Sequence, residues 1–313
     1  MKNGIPNKKM SIKSFAIKLL LFICIVFLLD LLVGSMLKYF YFKQESGFYY
    51  RTTYAINETR DDLLIFGSSK ATHQYHPQLL ENELNYSYFN VGRDGSSIFF
   101  QYATLKSVLK RYTPKLIILD VAREFENSQD SYDRISMLLP YYHDNPELRD
   151  MIMLKSPYEK YKLISKVYPY NSLLFSILVG NLEYNAGRFS DYKGFIPLQN
   201  KWKLPLQENK GAAEYGIDTL KIEAYKSFIQ DCKNANIKLV IVSSPIFYTL
   251  DKTEVSNKIC EEIAIENKVP YFNFTGDSLF LSSPQYFADL GHLNEDGSKI
   301  FTQKVIDKVK QIK

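Results

Sequence analysis

Two short stretches far apart in the chain carry residue types that do chemistry together. The first is Asp62-Leu-Leu-Ile-Phe-Gly-Ser-Ser-Lys-Ala71, an apolar run that breaks at Gly67 into two serines. The second is Asp289-Leu-Gly-His-Leu-Asn-Glu-Asp-Gly297. A serine hydroxyl is a weak nucleophile until a base takes its proton, and the base works best when a carboxylate orients it. An Asp three residues before a His, on a loop entering a helix, can hold one imidazole nitrogen and leave the other for the serine. Ser69 is then the nucleophile, His292 the base and Asp289 the orienting carboxylate. Each half also has an ordinary reading: a strand-to-helix turn with a serine cap, and a chance Asp-x-x-His pair. His73 competes for the role of base, although Ser-x-x-x-His on one helix points the imidazole about one turn away from the serine.

A third stretch, Phe89-Asn-Val-Gly-Arg-Asp-Gly-Ser-Ser97, has the glycines that let backbone approach a developing oxyanion closely, and a Gly-rich turn of any α/β protein has them too. A fourth is Leu116-Ile-Ile-Leu-Asp-Val-Ala-Arg-Glu-Phe-Glu-Asn127. The order of these blocks, serine after the first strand and Asp-x-x-His before the last helix with Asn294 and Gly297 following, resembles the SGNH (GDSL-type) hydrolase superfamily. The resemblance covers roughly residues 61–127 and 238–313, and rests on short motifs. It implies an oxyanion hole formed by the Ser69 and Gly95 amides, a Ser-His-Asp mechanism on an acyl ester, and no cofactor. Two departures stand out. Ser68 replaces the family's Asp, and no asparagine falls where the family has its third oxyanion donor; Arg123 or Asn127 can replace it only with a different geometry. Both departures resemble the membrane-anchored branch linked to cell-envelope acylation, which implies an acylated glycan or acyl donor as substrate and a membrane-embedded acyl-transfer partner. Retention of the fold without catalysis, as a polysaccharide-binding or scaffold protein, is the alternative. An α/β-hydrolase reading of Gly67-x-Ser69-x-Ala71 is disfavoured, because that fold places several strands before its nucleophile.

The elements that position these residues read as alternating strands and helices. Strands are expected near 63–66, 87–91, 116–121, 238–243 and 270–274, and helices near 98–111, 218–235, 253–267 and 296–311. This alternation implies a central parallel sheet covered on both faces, and the resemblance makes it a flavodoxin-like three-layer α/β sandwich. Ser243 and Ser244 end a strand on the side of Ser69, as turn residues or as borders of the site. Between 128 and 216 the alternation stops. That insertion is rich in tyrosine, and its aromatic rings serve either as a lid and carbohydrate surface or as the core of a subdomain.

Ahead of the catalytic domain (61–313) the chain divides into a basic tail (1–13), an apolar segment (14–37) and an aromatic juxtamembrane arm (38–60). The apolar segment reaches the roughly 20 residues that cross a bilayer, provided that Lys18 snorkels. It is an anchor or a signal peptide; the lack of a small-residue cleavage site favours the anchor. The basic tail then stays in the cytoplasm, giving a single-pass protein of the plasma (inner) membrane with its catalytic domain outside. Asp30 lies within the segment, as a contact for a partner membrane protein or as a residue close to the outer interface. A net charge of +5 spread over 313 residues does not indicate nucleic acid. Three cysteines, one of them Cys24 in the anchor, leave Cys232 and Cys260 as the one candidate pair, with free thiols the favoured state, at a spacing that suits no metal site.

Overall fold

The computed structural model describes residues 11–121, 123–182, 192–208, 216–249 and 255–312. Its centre is a sheet of five parallel strands: β1 (Leu63–Phe66), β2 (Tyr88–Asn90), β3 (Leu116–Asp120), β4 (Lys238–Ser243) and β5 (Tyr271–Asn273). The order across the sheet is β2-β1-β3-β4-β5, the flavodoxin-like doubly wound arrangement that the sequence predicts. Every residue of β1, β2 and β3 is buried, as expected for strands covered on both faces and written as unbroken apolar runs.

Alternate side chains feed two cores. Leu64, Phe66, Ile117, Leu119, Leu239 and Ile241 pack on the face covered by α2 (Gly47–Asn57), α5 (Ile98–Arg111), α7 (Thr219–Asn234) and α8 (Ser256–Glu266). Leu63, Ile65, Leu116, Ile118, Val240 and Val242 pack on the other face, under α3 (Ser69–Gln74), α4 (Pro77–Leu84) and α9 (Glu295–Gln311). In this topology the chain order reverses between β1 and β3, so the open crevice lies above the carboxyl end of β1. Gly67 and Ser69 follow that end directly.

The N-terminal helix α1 (Ile12–Phe42) is long and apolar enough to cross a membrane, a test that a signal sequence also passes. Its side chains from Phe15 to Leu29 are exposed, but Gly34, Leu37 and Tyr41 are buried against the domain. The insertion explains that burial. Tyr41 Oη and Thr53 Oγ1 lie 3.2 and 2.8 Å from the Tyr141 hydroxyl, and the Tyr170 ring packs 5.6 Å from that of Tyr41. Tyr141 and Tyr170 therefore build a core against α1 and α2 instead of covering the serine. The segment of the insertion that runs beside the site is 195–202, tied down by Ile196 N to Thr72 O and Trp202 N to Phe287 O. No disulfide joins Cys232 and Cys260; both are buried thiols.

Candidate active site

Gly67 turns the chain sharply at the end of β1, with φ +148°; a Cβ there would lie 2.8 Å from Asp120 O and 2.9 Å from Ala71 Cβ. Glycine is thus required by both conformation and space. Ser68 occupies the cap position of α3, and its carbonyl accepts from Thr72 N at 3.2 Å. Ser69 is the first residue of that helix, where a backbone N–H has no partner inside the helix. Asn90, ending β2, steadies the helix by donating from Nδ2 to Ala71 O at 2.6 Å while its Oδ1 accepts from Gly92 N.

The partner loop is shaped by equally specific contacts. Asn294 caps α9 by accepting from Gly297 N at 3.0 Å, and its Nδ2 donates to Gln285 O at 2.7 Å. A Cβ on Gly297 would overlap the Tyr286 carbonyl, so helix and loop meet without a side chain between them. Ala288 N to His292 O closes the turn, and Gln74 Nε2 to Gly291 O joins the loop to the end of α3.

These constraints bring three residues together across 223 positions of sequence. His292 Nε2 stands 2.7 Å from Ser69 Oγ, and Nδ1 stands 2.9 and 3.0 Å from the two carboxylate oxygens of Asp289. With Nδ1–H donated to Asp289, Nε2 is left to accept from the serine hydroxyl. Burial alone would raise the Asp289 carboxyl; the His292 contact and the Gly291 and His292 amides outweigh it and hold the group below the usual carboxylate range.

The turn carrying Gly95 is fastened near the serine, with Arg93 N donating to Gly67 O at 3.1 Å and Ser96 Oγ at 3.5 Å. Gly95 has φ +69°, and the Arg134 guanidinium occupies the place where its Cβ would stand. Arg134 comes from the insertion and was not visible as a neighbour of the site in the sequence. Of the two residues expected to replace the third donor, one has its side chain in an ion pair and the other has its backbone bonded elsewhere. Arg123 donates from Nε to Glu126 Oε1 at 2.5 Å, and Asn127 is exposed, its backbone N–H donating to Gly216 O at 2.7 Å.

Beneath the turn lies a polar network that the sequence only hinted at by ending an apolar strand in Asp120. Its Oδ2 accepts from Tyr75 Oη at 2.7 Å and from Ser244 Oγ. Burial pushes the Asp120 carboxyl up against the pull of Lys70, Ser244 and Tyr75, and burial lowers the Lys70 ammonium to about 8. Ser243 Oγ bonds Val121 O and the Tyr271 hydroxyl. Both serines thus brace strand ends.

His73 lies close by, but it is already occupied. Its Nδ1 is 2.7 Å from Ile196 O and its Nε2 3.4 Å from Asp94 Oδ2. Both ring nitrogens therefore face partners other than Ser69.

No family model and no curated sequence matches the chain. Among solved structures it is similar to an acetyl xylan esterase, AlAXEase, at 14% identity over 79% of this chain and 99% of that one, with a TM-score of 0.41. It is also similar to the psychrotrophic esterase EstA from Pseudoalteromonas sp., at 9% identity over 80% of this chain and 98% of that one, with a TM-score of 0.41.

Proposed function

We propose that this protein is a membrane-anchored serine enzyme of SGNH type, acting outside the cytoplasm on the acyl esters of a cell-envelope polysaccharide. The observation that carries this reading is the relay from Ser69 Oγ to His292 Nε2 at 2.7 Å and from Nδ1 to Asp289. Ser69 attacks the acyl carbonyl as its proton passes to His292. The alkoxide leaves with that proton, and the acyl group remains on the serine. The Ser69 and Gly95 amides stabilise the oxyanion, each contributing roughly 3 kcal/mol if they act as such donors usually do. Water or a sugar hydroxyl, deprotonated by His292, then takes the acyl group and frees the serine. Water makes the enzyme an esterase; a sugar hydroxyl makes it an acyltransferase supplied by a membrane-embedded partner. The burial of Gly34, Leu37 and Tyr41 in the domain supports α1 as a retained anchor, since cleavage beyond it would strip those contacts.

Ser69→Ala in the detergent-solubilised protein is expected to abolish hydrolysis of an aryl acetate and labelling by a fluorophosphonate. Turnover equal to wild type in that variant rejects the mechanism. Acylated glycan formed from an acyl donor, detected by mass spectrometry, selects transferase over esterase. Alkaline phosphatase fused after Arg60 should be active in cells; an inactive fusion places the site in the cytoplasm. The scaffold alternative draws on the stretch after Leu116, which has no asparagine where the resemblance expects the third oxyanion donor; a wild-type protein that neither turns over nor labels would favour it.

A further inference from the structure

Asp30 sits deep in α1. A span of about 20 helical residues crosses the hydrocarbon at about 1.5 Å each, so counting outward from Phe15 puts the outer boundary near Gly34. Asp30 falls one turn inside that boundary, where a carboxylate needs partners. The insertion provides them: Ser165 Oγ, Lys166 N and Val167 N all donate to it, at 2.5, 2.7 and 3.3 Å. One turn further out, a Cβ on Gly34 would overlap the backbone of Lys166, so the loop lies flush against the helix. The arrangement pairs one carboxylate with two backbone amides at a depth where water does not serve them. A loop that reaches Asp30 has to descend through the headgroup layer.

The surface around this loop is apolar and faces outward. Ile164, next to the docked residues, is 66% exposed. On α6 (Leu174–Asn181), Ile177 is buried towards the domain, whereas Leu174, Phe175 and Leu178 are between 52% and 77% exposed. This helix is fixed to the anchor itself, by Asn181 Nδ2 donating to Phe40 O at 2.8 Å and by Gly180 seated on the Gln44 side chain. Leu32 and Met36 of α1 are exposed as well, so the lipid-facing surface of the anchor continues into the insertion. A helix apolar on its outer face suits a membrane boundary.

We infer that residues 158–182 form a collar embedded in the outer leaflet, with lipid acyl chains and headgroups covering the exposed face of α6 and the 164–167 loop. The collar goes beyond the enzymatic reading and does not depend on it; it depends on α1 crossing the bilayer. The occupant is lipid because the face is continuous with α1 and because its deepest contact, Asp30, lies inside the hydrocarbon boundary. Lys160 and Lys166, at the rim, meet headgroup phosphates. The domain is thereby held at one height and orientation on the membrane and is not tethered by a free arm.

The test uses full-length protein carrying Cys24→Ser, in lipid nanodiscs, with nitroxide labels on Ile164→Cys, Phe175→Cys or Leu178→Cys. Leu279→Cys, next to Phe280 of the core on the opposite face of the sheet, is the control. All four positions are exposed, so the substitutions spare the core, and thermal melts of each variant verify the fold. Collisions with oxygen should dominate over those with a water-soluble nickel chelate at 164, 175 and 178, and the reverse should hold at 279. Nickel-dominated collisions at 175 and 178 overturn the inference by placing the face in water. Immobile labels shielded from both reagents also overturn it, because the face would then be covered by a second copy or another protein.

Discussion

The rings of His73 and His292 meet edge to face, with centroids 5.6 Å apart and planes at 89°. Only one of them can receive the serine proton. His73 is held between Ile196 O and Asp94, whereas His292 Nε2 stands 2.7 Å from Ser69 Oγ. Burial would raise the Asp94 carboxyl, and the His73 contact, with help from Thr72 and Arg51, keeps it low instead. His292→Ala should cost kcat/KM at least about a thousandfold, as removal of a general base does. His73→Asn should cost about tenfold or less, through a slackened 195–202 segment. If the two losses are equal in an aryl acetate assay, the assignment of the base is wrong.

Asp289 gives a second kinetic signature. It fixes which nitrogen of His292 carries hydrogen, so Asp289→Asn should lower kcat by about three to four orders of magnitude with little change in KM. Because the carboxyl lies below its ordinary 3.8 in the folded protein, it stays ionised as pH falls to that value. Its contribution to stability is present above that value and is lost only as pH falls through the still lower folded value. If Asp289→Asn keeps the kcat of wild type in an aryl acetate assay, Asp289 does not orient the base.

What the sequence displayed and what it hid differ in range. Leu63–Phe66 and Lys238–Ser243 announce themselves as buried parallel strands through a local apolar run bounded by a turn residue, and the structure has both at those bounds. Strand β2 is shorter than the expected 87–91, although Leu63 N to Ser87 O and Val91 N to Ile65 O carry the hydrogen bonding one residue past each of its ends, while the Asn90 side chain holds α3. Ser69 and the Asp289-His292 pair were legible because each sits in a motif a few residues long. Arg134 against Gly95, Asp94 with His73 and Asp30 with Ser165 are contacts between distant positions with no periodicity of their own, so neither partner of a pair points to the other in the sequence. The tyrosines of the insertion were ambiguous for a related reason: nothing local distinguishes a ring that meets a sugar from one that meets Tyr41.

Gly95 tests the oxyanion hole separately from the relay. Gly95→Ala would require an L residue at φ +69° and would push the Arg134 guanidinium from its place. The expected result is a fall in kcat of about a hundredfold or more, with KM nearly unchanged, because the lost interaction exists only in the transition state. Arg134→Ala in the same background reports whether the displaced guanidinium matters. If Gly95→Ala keeps full kcat, the turn at 93–96 lies outside the oxyanion hole.

Glu124 should make the fold sensitive to pH in a window unrelated to catalysis. Burial pushes its carboxyl up to about 7, against the pull of Lys221 and of the Ile98 amide at the start of α5, which it accepts. The folded protein then binds more protons at this site than the unfolded chain between the ordinary 4.5 and about 7. The stabilising contribution is fully present below 4.5 and disappears as pH rises through about 7, so the melting temperature should fall across that interval. Glu124→Gln preserves the carbonyl that receives the Ile98 amide and removes the titration. Its melting temperature should follow a flatter course from pH 4.5 to 7.5, measured by circular dichroism beside wild type; a course parallel to wild type would assign the slope to another group.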